Sequence, residues 1–154
     1  MSPFDQQAFN EFVVHNKVYG FFDEPITLKS GRQSHFYVNW RTIVEDVRLT
    51  EILIEHVLAF VGDRPIEVDT FYGVPEGATK LGVLTQYTFA RRQDNYLVGS
   101  HVLSMGRAKP KDHGAPRDRF FVGAPKGKVV VIEDVTTTGG SLITTLEFLR
   151  ETGI

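Results

Sequence analysis

Val129-Val-Val-Ile-Glu-Asp-Val-Thr-Thr-Thr-Gly-Gly-Ser141 is the stretch whose reading decides the fold. Val129 to Ile132 form a β-branched apolar run that can be buried on both faces, as the central strand of a parallel sheet is. Glu133 and Asp134 follow where such a strand emerges at its carboxyl edge, the place where open α/β sheets bind ligands. A turn of hydroxyl and glycine residues comes next, Thr136, Thr137, Thr138, Gly139, Gly140 and Ser141, and an apolar helical pattern opens at Leu142. Gly139 and Gly140 let backbone N–H groups point inward, the hydroxyls add donors, and the helix N-terminus favours an anion.

Two carboxylates beside an anion cradle would repel a bare phosphate, but they suit a sugar phosphate. The acids accept hydrogen bonds from two vicinal ribose hydroxyls while the loop holds the 5'-phosphate one ribose length away. The Lys of a Walker A loop and the glycine spacing of a dinucleotide fingerprint are missing, which sets both aside. The bland alternative is a strand-turn-helix with a threonine-rich cap. In type and order the stretch resembles the phosphoribosyl pyrophosphate (PRPP) signature of the type I phosphoribosyltransferases, an apolar strand, two acids and a Thr/Gly loop. That resemblance implies their α/β fold, a central mostly parallel sheet flanked by helices with a small N-terminal hood.

Composition bounds the rest. With 154 residues, 42% hydrophobic and 23% charged, the chain is read as one domain over 1–154, with helix and hood in 1–45 and core in 46–154. A net charge of -2 argues against nucleic acid as the main partner. Without cysteine there is no disulfide, thiolate zinc site or cysteine nucleophile. No apolar run approaches a membrane span and the N-terminus lacks a signal-peptide pattern, so a cytoplasmic protein with no membrane partner is expected.

From the N-terminus, Asp5 caps a helix carrying Ala8, Phe9, Phe12 and Val13 that is expected to end near Gly20. Pro25 to Arg41 reads as two extended runs around the turn Ser30-Gly31-Arg32. Leu28-Lys-Ser-Gly-Arg32, Ser34 and the pair Phe36-Tyr37 are similar to the N-terminal motif of orotate phosphoribosyltransferases, the pyrimidine branch of the group. This implies that Lys29 contacts the pyrophosphate and base region, and that Phe36 or Tyr37 stacks on orotate. Neighbours on a strand face opposite ways, so one ring stacks and the other enters the core. The plainer reading leaves Lys29 solvated and both rings in the core.

Leu49, Ile52, Leu53, His56, Val57 and Phe60 mark one face of a helix over 47–61, with Gly62 as terminator and His56 as a structural histidine. Val68 to Val74 reads as a strand running into Gly73-Val-Pro-Glu-Gly77, and a helix is expected from about Ala78 to Ala90. This second strand-loop-helix unit offers a second anion-accessible helix start. In the family the matching loop holds pyrophosphate through its backbone, a role that falls to Gly73 and Val74, with Pro75 and Gly77 fitting the pattern. Glu76 must be neutralised or turned away there, and Lys80 can do the first if the helix has begun by Glu76. Relatives often carry Tyr-Lys before the loop glycine where this chain has Phe71-Tyr72, so a pyrophosphate lysine is either absent or replaced by Lys80.

A strand is expected within Asn95–Met105, followed by a long, mobile loop over 106–119 rich in Arg and Lys. By composition the loop either closes over a polyanion or is a solvated surface segment. Arg107, Lys111, Asp112, His113 and Gly114 match the Arg-x-x-x-Lys-x-His-Gly pattern of the orotate phosphoribosyltransferase catalytic loop, with Ala108 where relatives often have a second lysine. The resemblance implies catalytic roles for Arg107, Lys111, His113 and Asp134, and pyrophosphate contacts from Lys29, Arg107, Lys111 and His113. It also implies a homodimer in which loop 106–119 reaches the partner's site.

Together these motifs imply transfer of ribose 5-phosphate from PRPP to orotate, giving orotidine 5'-monophosphate and pyrophosphate in de novo pyrimidine (UMP) biosynthesis. Mg2+ would be held by PRPP oxygens and water, with no direct protein ligand. A second reading is a non-catalytic PRPP- or nucleotide-binding regulator on the same fold. A βαβ unit returns to its sheet, and in the family the returning strand carries an arginine for the orotate carboxylate. Ile154 would be at most its first residue, so the chain is expected to be shortened at its C-terminus.

Overall fold

The structure is a computed structural model that describes residues 3–28 and 31–154. Its chain forms two compact units, Met1–Asp63 with Val135–Thr138, and Arg64–Asp134 with Gly139–Ile154.

In the first unit, α1 (Gln6–His15) is capped by Asp5, whose carboxylate accepts from Ala8 N at 2.9 Å. Helix α1 stops at His15, short of the expected Gly20, because Lys17 turns the chain at φ 52° and Tyr19 already belongs to a strand. That strand, β1 (Tyr19–Thr27), pairs antiparallel with β2 (Gln33–Val38). The register shifts between Phe21 and Ile26, a stretch containing Pro25, which has no N–H for the ladder. A short α2 (Arg41–Glu45) leads to α3 (Val47–Gly62), capped by Asp46 through Leu49 N at 2.8 Å. The buried stripe of α3 is Thr50, Leu53, Ile54 and Leu58, rotated from the expected face so that Phe60 stands exposed. His56 lies among rings instead, with Phe9 at 5.4 Å and Phe12 at 5.5 Å. Burial lowers its pKa, against a smaller opposing pull from Asp5.

In the second unit, β3 (Thr70–Gly73) and β6 (Val129–Ile132) pair in parallel, Thr70 opposite Val129 and Gly73 opposite Ile132. Their register is pinned at the lower end. Asp69 accepts from Lys128 N at 2.7 Å, and Thr70 Oγ1 donates to Lys126 O at 2.7 Å. Strand β3 is fully buried, whereas every residue of β6 is only half-buried, less than the expected central strand. Helix α4 (Thr79–Ala90) packs on β3. Tyr72, Phe120, Phe121 and Leu149 form a core cluster, the last of these from α6 (Gly140–Glu151). Gly153 follows that helix at φ 75° and Ile154 N returns to Leu149 O at 3.0 Å, the expected glycine stop.

The strand expected within 95–105 reduces to β4 (Met105–Gly106), paired antiparallel with β5 (Phe121–Val122). Turns occupy 91–100 and leave Leu97 76% exposed. The physical reason is Gln86. This wholly buried side chain accepts from Phe71 N at 2.8 Å and donates to Val102 O at 2.9 Å, taking over backbone bonds that a neighbouring strand would make. The basic stretch is likewise not devoid of secondary structure, since α5 (Pro116–Phe120) closes it.

Candidate functional site

Parallel pairing continues one step past β3, where Val74 N donates to Ile132 O at 2.8 Å. The pair therefore delivers Glu133 and Asp134 beside the turn Gly73–Gly77. An ideal Cβ on Gly77 would stand 2.2 Å from Asp134 Oδ2, 2.6 Å from its Cγ and 2.7 Å from Oδ1. Asp134 thus sits against the backbone of the turn, in space that any side chain at 77 would fill. Glu133 and Asp134 are hydrogen-bonded to each other. Burial pushes the Glu133 carboxyl up to about 7, helped by that side-chain bond and by the like charge of Asp134, with a backbone bond from Asp134 opposing. The raised value favours a proton shared on this acidic pair near neutral pH.

Thr136, Thr137 and Thr138 are exposed. Gly139 caps α6 in the left-handed region, φ 79° and ψ 2°, and Ile143 N donates back to Gly139 O at 2.8 Å. The N-cap of α6 is Gly139, which has no side chain, so no cap side chain takes up the N–H groups of its first turn. An uncapped N-terminus with a glycine turn ahead of it is competent for a phosphate.

Around the other turn, Val74 is buried with its N–H donated to Ile132 O and its carbonyl accepting from Ala78 N at 3.1 Å. Glu76 and Gly77 are exposed. Helix α4 begins at Thr79, so the helical spacing proposed for Glu76 and Lys80 does not apply. Tyr72, immediately before the turn glycine, is packed against Phe121 at 5.7 Å, and burial pushes its phenol up to about 12. A lysine there would be driven into the core.

In the basic stretch, Arg107 is half-buried, and Lys111 and His113 are exposed. Arg107 N donates to Phe120 O at 2.9 Å and Arg107 Nε to Asp118 O at 3.1 Å. Arg119, which the sequence motif does not include, bonds residue 111 through both its backbone and its side chain.

In the hairpin, Phe36 and Tyr37 stand on opposite faces. Phe36 pairs with Phe21 across the strands and joins an exposed ring cluster, Phe21 at 5.3 Å and Tyr19 at 6.0 Å. Tyr37 is half-buried against Phe22 at 6.2 Å. Lys29 lies outside the described residues. Among the described residues no group of three or more His, Cys, Asp or Glu could hold a metal ion. Among the described residues no helix is long and apolar enough to cross a membrane.

No family model matches the chain. The orotate phosphoribosyltransferase of Rhodopseudomonas palustris strain BisB5 is 34% identical over 148 residues, covering 92% of this chain and 73% of that protein. Its counterpart from strain BisB18 is 40% identical over 136 residues, covering 83% and 67%. Among solved structures, the orotate phosphoribosyltransferase of Aeropyrum pernix superposes with a TM-score of 0.66 at 24% identity, covering 93% of this chain and 73% of that one. The last likeness shows the fold, an α/β type I phosphoribosyltransferase fold, as the sequence implies.

Proposed function

This chain belongs to the orotate phosphoribosyltransferase family, and we propose that it transfers ribose 5-phosphate from PRPP to orotate in de novo pyrimidine synthesis. The observation that carries this reading is Asp134, paired with Glu133 and set against Gly77, which joins the acids to the second turn. The bond from C1 to the pyrophosphate oxygen breaks as orotate N1 bonds to C1. Orotidine 5'-monophosphate and pyrophosphate result, and the N1 proton is lost. Positive charge develops on the ribose ring and negative charge on the leaving group, so stabilising that separation is the main demand on the site.

Glu133 and Asp134 accept the ribose hydroxyls, and Asp134 stands on the side where ring charge grows. Thr136 to Ser141 hold the 5'-phosphate through hydroxyls and backbone N–H groups. Gly73 and Val74 set the course of the turn, and the exposed backbone at 76–77 is its pyrophosphate-facing part. Arg107, Lys111 and His113, with Lys29, serve the pyrophosphate, and His113 or Lys111 donates a proton to it as it leaves. Phe36 is the ring that stacks on orotate, because it is the exposed member of the pair. Mg2+ fits as a substrate-held ion: one acidic pair offers too few ligands for a protein cage, and the ion prefers phosphate oxygens and water.

The active form is a homodimer in the cytoplasm, residues 1–154 acting as one phosphoribosyltransferase domain with loop 106–119 serving the partner's site. The test is product analysis. Chain, Mg2+, PRPP and orotate should yield orotidine 5'-monophosphate, and a purine base in place of orotate should yield no nucleotide. Nucleotide formed from the purine alone would refute the assignment.

A further inference from the structure

Arg119 makes two bonds to one residue. Its backbone carbonyl accepts from Lys111 N at 3.0 Å, and its side-chain Nε donates to Lys111 O at 3.0 Å. The peptide groups flanking Lys111 are therefore clamped from both sides by residue 119, across seven intervening residues. The guanidinium carbon also lies 5.6 Å from the centroid of the Phe120 ring. Phe120 in turn stacks on Phe148 of α6 at 4.3 Å and 21°, and belongs to the buried cluster with Tyr72, Phe121 and Leu149. A continuous set of contacts thus runs from residue 111 through Arg119 and Phe120 to the helix that starts at Gly140.

We propose that Arg119 is a positioning residue: its guanidinium fixes the backbone of Lys111 and ties the basic loop to α6, so that the Lys111 ammonium is presented to pyrophosphate from a defined origin. The inference rests on the reading of Lys111 as a pyrophosphate contact. A lysine side chain on an unconstrained loop loses backbone and rotamer freedom when it engages a ligand. A backbone already held by two hydrogen bonds has lost part of that freedom beforehand. Arginine suits the position because its planar group donates from Nε while its face lies on a ring; lysine has no donor at that point.

The test is calorimetric titration of magnesium pyrophosphate into the wild type, Lys111→Ala, Arg119→Ala, Arg119→Lys and the double variant Lys111→Ala/Arg119→Ala. Circular dichroism confirms that each is folded. Lys111→Ala should weaken binding about tenfold and Arg119→Ala about fivefold, the scale of one direct charged contact and of one hydrogen bond that acts only through it. Arg119→Lys should bind like Arg119→Ala, and the double variant no more weakly than Lys111→Ala, because Arg119 acts only through Lys111. If Lys111→Ala weakens binding while Arg119→Ala does not, the positioning role is wrong and the Lys111 reading stands. Unchanged binding by Lys111→Ala overturns both. Additive losses, or full rescue by Arg119→Lys, would make Arg119 a direct electrostatic contact and overturn the inference.

Discussion

The carboxylate of Asp134 rests against Gly77 so closely that a methyl group at 77 would lie 2.2 Å from Oδ2. The turn 73–77 and the acidic end of the β6 strand, far apart in sequence, meet at this contact, and it exists only because residue 77 has no side chain. Gly77→Ala should therefore displace Asp134 and weaken PRPP binding about tenfold, the cost of a charged hydrogen bond put out of place. Calorimetry with PRPP and Mg2+ measures it. Wild-type affinity in the alanine variant would mean that Asp134 does not need its present seat.

Glu133 supplies a pH dependence whose sign follows from its raised pKa. The protonated form is favoured in the fold, so the stability it contributes is fully present below the ordinary value of 4.5 and is lost as pH rises through about 7. Ribose hydroxyls need the ionised acceptor, so PRPP should bind more tightly as pH rises through the same range, with proton release on binding below it. Glu133→Gln should remove both trends, as followed by thermal unfolding and by titration in buffers of different ionisation heat. A pH-independent affinity in the wild type would show that Glu133 does not accept from the ligand.

Gln86 takes the place of a strand with one amide. Gln86→Leu keeps the volume but leaves Phe71 N and Val102 O without these partners, at a cost of about 3 kcal/mol in unfolding free energy. Urea unfolding measures the loss, and a change below about 1 kcal/mol would assign those groups other partners in the variant.

His56 sits among Phe4, Phe9 and Phe12 with its pKa lowered by burial. A depressed folded value means that its stabilising contribution is present above the ordinary value of 6.5 and is lost as pH falls through the folded one. The first unit should lose stability in mild acid, and His56→Phe should blunt that loss. Equal acid sensitivity in both proteins would move the cause elsewhere.

Much of this was legible in the primary structure. The two strand-loop-helix units announce themselves because β-branched runs and glycine turns act locally, and Asp5 and Gly153 cap their helices for the same reason. The strand expected within 95–105 reduces to Met105–Gly106, and its apolar residues carry no sign that a glutamine on α4 bonds the backbone beside them. Phe36 and Tyr37 are adjacent in sequence, so only the cross-strand partner Phe21 distinguishes their faces. Gly77 looked like a helper of an anion turn; that it admits Asp134 depends on the β3–β6 register, which Asp69 and Thr70 set from the opposite end. Arg119 falls outside the loop motif because its effect on Lys111 runs through backbone atoms, which leave no residue-type pattern.

The most direct test of the central claim is the absorbance of orotate in the presence of the chain, PRPP and Mg2+. The account predicts a fall that requires both additions and that Asp134→Asn reduces by roughly a hundredfold or more, the scale of a removed charge-stabilising group. Stable orotate absorbance with wild-type chain shown by calorimetry to bind PRPP would contradict it.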